Sequence, residues 1–129
     1  MRLYSLVVAS WLVACGPDED DHHGTAHDLG TETAGPFEVS VTLYGEVEAG
    51  GSIALDVRLK GAPRAQSVSV RLADEEGNGS QNEPLPRVEG QALFHSHVPI
   101  PDGLPDDAAL WVRVKGASGE RYEARFSFR

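Results

Sequence analysis

The five histidines are the residues of this chain with the widest chemical reach, and they fall in two clusters. His22, His23 and His27 lie with Asp20, Asp21 and Asp28 inside one nine-residue stretch, while His95 and His97 flank a single serine. Imidazole beside carboxylate suits Zn²⁺, Ni²⁺ or Cu²⁺, and a flexible segment can wrap such an ion at the expense of ordering entropy. Composition favours a merely solvated acidic linker for the first cluster. Opposite parity to Phe94 and Val98 puts His95 and His97 on the outward face of one strand, near enough to share a metal. Two ligands still leave a site incomplete, and two exposed polar residues on a sheet are the plainer description. Imidazole is the side chain whose charge changes nearest neutral pH, so a weak pH sensor is also within the chemistry of both clusters.

Other reactive constellations are missing. The sequence holds no Gly-x-Ser-x-Gly, no His-Glu-x-x-His and no phosphate-binding glycine loop, which are the local signatures of common hydrolytic and nucleotide chemistry. Its loop carboxylates, Asp74-Glu75-Glu76 and Asp106-Asp107, stand among turn residues, and Asp74 to Asn78 lacks the alternating ligand spacing of a calcium loop. The chain therefore reads as non-catalytic.

The elements that must position these residues are strands. Phe37, Val39, Val41 and Leu43 alternate with polar residues, as do Ile53, Leu55, Val57 and Leu59, with Gly50-Gly51 between the two runs. Strict alternation is the pattern of a strand with one buried face. Val68, Val70 and Leu72 mark a third run, and a polar, Gly- and Pro-rich loop follows over 74–86. A short strand is expected over Leu85 to Glu89, turning at Gly90. Phe94, Val98 and Ile100 share one face of the next strand, and a Pro-rich loop spans 101–108. Leu110, Val112 and Val114 then pair off against Tyr122, Ala124, Phe126 and Phe128 across a turn at Gly116 to Gly119.

About seven short strands without a helical period predict an all-β domain over 36–129, a single immunoglobulin-like antiparallel β-sandwich. The chain has a single cysteine, Cys15, so the cysteine pair of antibody domains is absent. Trp111 carries the parity of the outward residues.

Residues 15–35 contain little that can be buried and read as an acidic, His-rich flexible tether. Ahead of them, Met1 to Ala14 has the order of a secretory signal: a positive start, an apolar run from Leu3 to Val13, then small residues. That run is shorter than the roughly 20 residues a spanning helix needs.

Leu12-Val13-Ala14-Cys15 resembles a bacterial lipobox. The resemblance implies cleavage before Cys15, acylation of that residue with fatty chains such as palmitate, and a lipid anchor in the cell envelope. Gly16 stands where inner-membrane lipoproteins of the enteric type carry aspartate, which favours the outer membrane. The exported domain would then have no disulfide to rely on.

A looser resemblance covers 36–129. The block Phe37 to Leu43, together with Phe94-His95-Ser96-His97-Val98-Pro99-Ile100-Pro101 and Ala109-Leu110-Trp111-Val112-Arg113-Val114, resembles small exported domains of the YtkA-like kind. Some of those occur near copper-handling systems. The glycine common before their tryptophan strand is replaced here by Asp107-Ala108.

Charge narrows the partners. The whole chain carries 11 basic and 20 acidic side chains, net −9, and removal of residues 1–14 takes away Arg2 and no acid. Such a balance repels phosphate backbones, and no basic stripe interleaved with aromatics is expected anywhere, so neither nucleic acid nor an anionic lipid surface is an expected partner. The expectation is a lipid-anchored binding or structural module whose loops or sheet edge meet another envelope protein. The alternative is a Zn²⁺ or Cu²⁺ accessory protein using His22, His23, His27, His95 and His97.

Overall fold

Alternating burial organises the protein. A computed structural model describes residues 24–61, 65–88 and 91–128. The described residues form eight strands and no helix: β1 (Ala26–Ala34), β2 (Phe37–Tyr44), β3 (Ser52–Lys60), β4 (Ala65–Ala73), β5 (Glu83–Leu85), β6 (Leu93–Pro99), β7 (Ala109–Gly116) and β8 (Arg121–Phe126). They build two antiparallel four-stranded sheets, ordered β1-β2-β3-β6 and β5-β4-β7-β8. The all-β expectation therefore holds, as two sheets enclosing one core. The expected signal segment, together with Cys15, His22 and His23, lies outside the described residues.

Each run with period two buries the face its parity selects. Phe37, Val39, Val41 and Leu43 on β2 face Val68, Val70 and Leu72 of β4 and Leu110, Val112 and Val114 of β7 within one cluster, every one of them at most 2% exposed. Burying a side chain of this size stabilises the fold by roughly 1.5–3 kcal/mol relative to leaving it wet. Ile53, Leu55 and Val57 of β3 join the same core, with Phe94 and Val98 of β6 and Ala124 and Phe126 of β8. The chain crosses between the sheets after β3, β5 and β6, so no sheet is complete until distant segments meet.

β1 corrects the expected tether, whose C-terminal part is a strand. Ala26–Ala34 pairs with β2 from Ala26↔Tyr44 to Ala34↔Phe37, with a bulge between Asp28 and Gly30. Gly30 takes φ 96° and its N–H donates to Asp28 Oδ1 at 2.9 Å. The hairpin turns through Gly35-Pro36, where Gly35 has φ 61°, the positive value a two-residue primed turn needs at its first position. A polar segment forms a strand here because the exposed edge of β2 offers backbone hydrogen bonds. Its polar side chains then blunt that edge against further pairing.

Two other boundaries move. The short strand lies at Glu83–Leu85, paired with Val68 to Val70 of β4, rather than over 85–89; Glu89 and Gly90 lie outside the described residues. Pro86 instead accepts a bond from the His95 N–H, and Val88 donates to Leu93, so this segment covers part of the β6 edge. The 74–86 loop is anchored by Asp74, expected as a solvated turn carboxylate but only 8% exposed. Its Oδ1 accepts the backbone N–H groups of Glu76 and Asn78, and its Oδ2 accepts from the Asn78 side chain. An aspartate that satisfies its own loop backbone replaces a ladder the loop cannot have.

Candidate functional site

The two sheets turn different chemistry outward, and of the two faces only the His95–His97 pair stands out as a cluster in the sequence. On β3 and β6, Asp56 and His95 are register partners. Their side chains meet at Asp56 Oδ1 and His95 Nδ1, 2.5 Å apart, and the Tyr44 hydroxyl donates to the other carboxylate oxygen at 3.2 Å. Burial, reinforced by the neighbouring Asp56 charge, pushes the Tyr44 hydroxyl above its ordinary pKa. The rings of His95 and His97 lie edge to face, centroids 5.8 Å apart. Both histidines sit on one face, as parity requires. Asp56 is the residue the sequence reading missed, and it orients the His95 ring as carboxylates orient metal-ligating imidazoles.

The third expected histidine stands elsewhere. His27 is on β1, paired with Leu43, so it points to the core side at the opposite edge of the sheet from β6. There it lines a cleft of about 530 Å³ with Leu29, Leu43, Glu46, Val47 and Phe128. Its Nε2 lies 3.5 Å from Glu46 Oε2. The fold thus brings His95 and His97 together and keeps His27 apart. Among the described residues, no three His, Cys, Asp or Glu side chains are grouped to hold a metal ion.

The second sheet gathers cations. Cross-strand register aligns Arg71, Trp111 and Arg125 in one row; Ser69, Arg113 and Glu123 in the next; and Ser67, Lys115 and Arg121 in a third. All alternate with buried residues and therefore share the outward face. The guanidinium carbons of Arg71 and Arg125 lie 5.0 and 6.0 Å from the Trp111 ring centroid, within cation–π range. The Trp111 indole N–H donates to the Ala73 carbonyl at 2.9 Å. Glu123 is the one carboxylate in the three rows, shared at 3.4 Å by Arg71 and Arg113.

Lys115 and Arg121 stand directly opposite one another across this ladder. Among the described residues no carboxylate forms an ion pair with Lys115, Arg121 or Arg125. Five cations and one carboxylate thus occupy one sheet face of a chain whose net charge is −9. The expectation that no basic stripe interleaved with an aromatic appears anywhere fails on this sheet, where Trp111 stands in register between Arg71 and Arg125. The available signal was the outward parity of each cation, which becomes a cluster once β4, β7 and β8 are adjacent.

No family model, curated protein or solved structure matches this chain.

Proposed function

We propose that this protein is a lipid-anchored, non-catalytic module of the bacterial envelope, held by acylated Cys15, that binds another envelope component through the outward face of its β5-β4-β7-β8 sheet. The observation that carries the reading is the uncompensated pair Lys115–Arg121. Like charges directly opposite on antiparallel strands destabilise a sheet, and in a chain with 20 carboxylates a compensating acid is easily supplied. A face that keeps such a cost is suited to an anion brought by a partner. The rigid sandwich holds its guanidinium groups in a fixed array, which lowers the ordering entropy that binding must offset.

The anchor rests on the Leu12-Val13-Ala14-Cys15 motif and the short apolar run before it. Among the described residues no helix is long and apolar enough to cross a membrane. The outer membrane is the proposed site, following Gly16. The wider acidic surface disfavours nucleic acid as the partner.

The test is expression of the full chain beside Cys15→Ala, with a photoreactive residue introduced at Ser67 in both. The reading expects label from a fatty-acid precursor and membrane fractionation that Cys15→Ala abolishes. It further expects a discrete crosslinked species from Ser67 in the anchored protein. Membrane association that survives Cys15→Ala would overturn the anchor.

A second reading, a Zn²⁺ or Cu²⁺ accessory protein, is favoured by one observation, the Asp56–His95–His97 arrangement. His95 and His97 would supply imidazole ligands and Asp56 would fix the His95 ring. Any contribution of His22 and His23 would come from outside the described residues.

A further inference from the structure

We propose that the outward face of β4, β7 and β8 docks an extended acidic polypeptide segment, with carboxylates at alternate residues seated on Arg113, Lys115, Arg121 and Arg125. The inference rests on the binding-module reading above and names the chemistry of the partner.

Four observations on this face favour that occupant. Spacing comes first: Trp111, Arg113 and Lys115 repeat at every second residue of β7, a step of about 6.6–6.8 Å, which is also the step between alternate side chains of an extended peptide. Charge is the second. Lys115, Arg121 and Arg125 have no carboxylate partner among the described residues, and Lys115 opposes Arg121 directly. An acidic side chain laid between them turns a repulsion into two attractions. Third, Glu123 already shows the contact in miniature, one carboxylate held between the guanidinium groups of Arg71 and Arg113 at 3.4 Å each. Guanidinium forks match carboxylate geometry, whereas a more highly charged phosphate would meet Glu123 in the middle of the array.

The fourth observation concerns Trp111. Its N–H is committed to Ala73, and Arg71 and Arg125 approach its ring from the two neighbouring strands. The indole is thereby a platform that fixes guanidinium groups. It is not offered as a stacking surface for a base, nor as a wedge for a bilayer. Ser67 and Ser69, the remaining members of the rows on β4, add hydroxyls and no apolar protrusion.

The test uses the full chain purified in nonionic detergent and a fluorescently labelled peptide alternating glutamate and threonine over about ten residues, which spans a strand-length face. Anisotropy is expected to show binding at low ionic strength that weakens steeply as salt is raised. The double reversal Lys115→Glu with Arg121→Glu is expected to weaken binding by about tenfold or more, because attraction becomes repulsion at two positions. Arg125→Ser, a milder change, is expected to give a smaller loss in the same direction. Arg58→Glu, a reversal on the other sheet, is expected to leave binding unchanged, and thermal melts verify that every variant is folded.

Equal weakening by Arg58→Glu, or no binding to the peptide at all, would overturn the proposal. So would tighter binding to polyphosphate or to phosphatidylglycerol vesicles than to the peptide. Persistence of the Ser67 crosslink after the double reversal would remove this chemistry while leaving the envelope-module reading in place. Peptide binding with no membrane association would do the converse.

Discussion

Lys115 and Arg121 oppose one another directly across the β7–β8 ladder, on a face whose carboxylate Glu123 is already shared by Arg71 and Arg113. The arrangement costs stability that a single acid would return. Lys115→Glu is therefore expected to raise the melting temperature, since a cross-strand pair contributes roughly 0.2–1 kcal/mol and its sign is reversed. For a domain of this size that is a gain of a few degrees, about 1–6 °C. Calorimetric melts of the two proteins check it, and an unchanged or lower melting temperature would mean that the pair is not repulsive.

Gly35 is held by two independent constraints. Its φ is 61°, and a Cβ there would stand 2.2 Å from Tyr122 Cδ1 on β8. Gly35→Ala is expected to cost about 1–3 kcal/mol, from left-handed backbone strain together with the clash. Urea denaturation of the single and double variants separates the parts. Tyr122→Ala in the Gly35→Ala background should recover the steric share and leave the backbone share, giving a favourable coupling between the two substitutions.

Asp74 makes the 74–78 loop sensitive to acid. The Asn78 backbone N–H, opposed by partial burial and aided by the Asn78 side chain and by Glu76, holds its carboxyl below the usual value. A folded-state pKa that is depressed means stability fully present above the unfolded value of about 3.9, and lost as pH falls from there through the folded value. Melting temperature should thus fall more steeply with acid in the native chain than in Asp74→Ala. The variant should also be less stable at neutral pH, where the loop's N–H groups lose their acceptor. Parallel melts from neutral pH down to about pH 2.5 read both effects; identical acid slopes would remove Asp74 from the account.

The metal reading has its own signature. Titration with Zn²⁺ or Cu²⁺ should give binding lost in His95→Ala with His97→Ala, and weakened about 10–100-fold by Asp56→Asn, because the carboxylate orients His95 without being counted as a ligand. His27→Ala should leave that component unchanged, since His27 faces the cleft at the far edge of the sheet. Binding that is equal in all four proteins would dispose of metal capture at β6.

How much of this was legible beforehand depends on where the stabilising energy comes from. For β2, β3, β4, β7 and β8 it comes from burial, and burial writes period two into the residues: Val39, Val57, Val70 and Val112 are each predicted inward and each is fully buried. β1 draws instead on the backbone edge of β2. With Leu29 and two alanines as its only apolar residues, it carries no periodic mark, and by sequence alone it is indistinguishable from a tether.

The outward faces divide in the same way. Parity alone placed His95 and His97 together, because both belong to one strand. It could not supply Asp56, which reaches His95 only through the β3–β6 register. The sequence by itself determined which side chains turn inward and which outward, since that follows from the two-residue pleat of a single strand. Only the tertiary structure decided which outward residues are neighbours. Arg71 is 40 positions from Trp111, and an acidic chain acquires a basic face because β4, β7 and β8 lie side by side in register, an outcome of long-range pairing that no local pattern encodes.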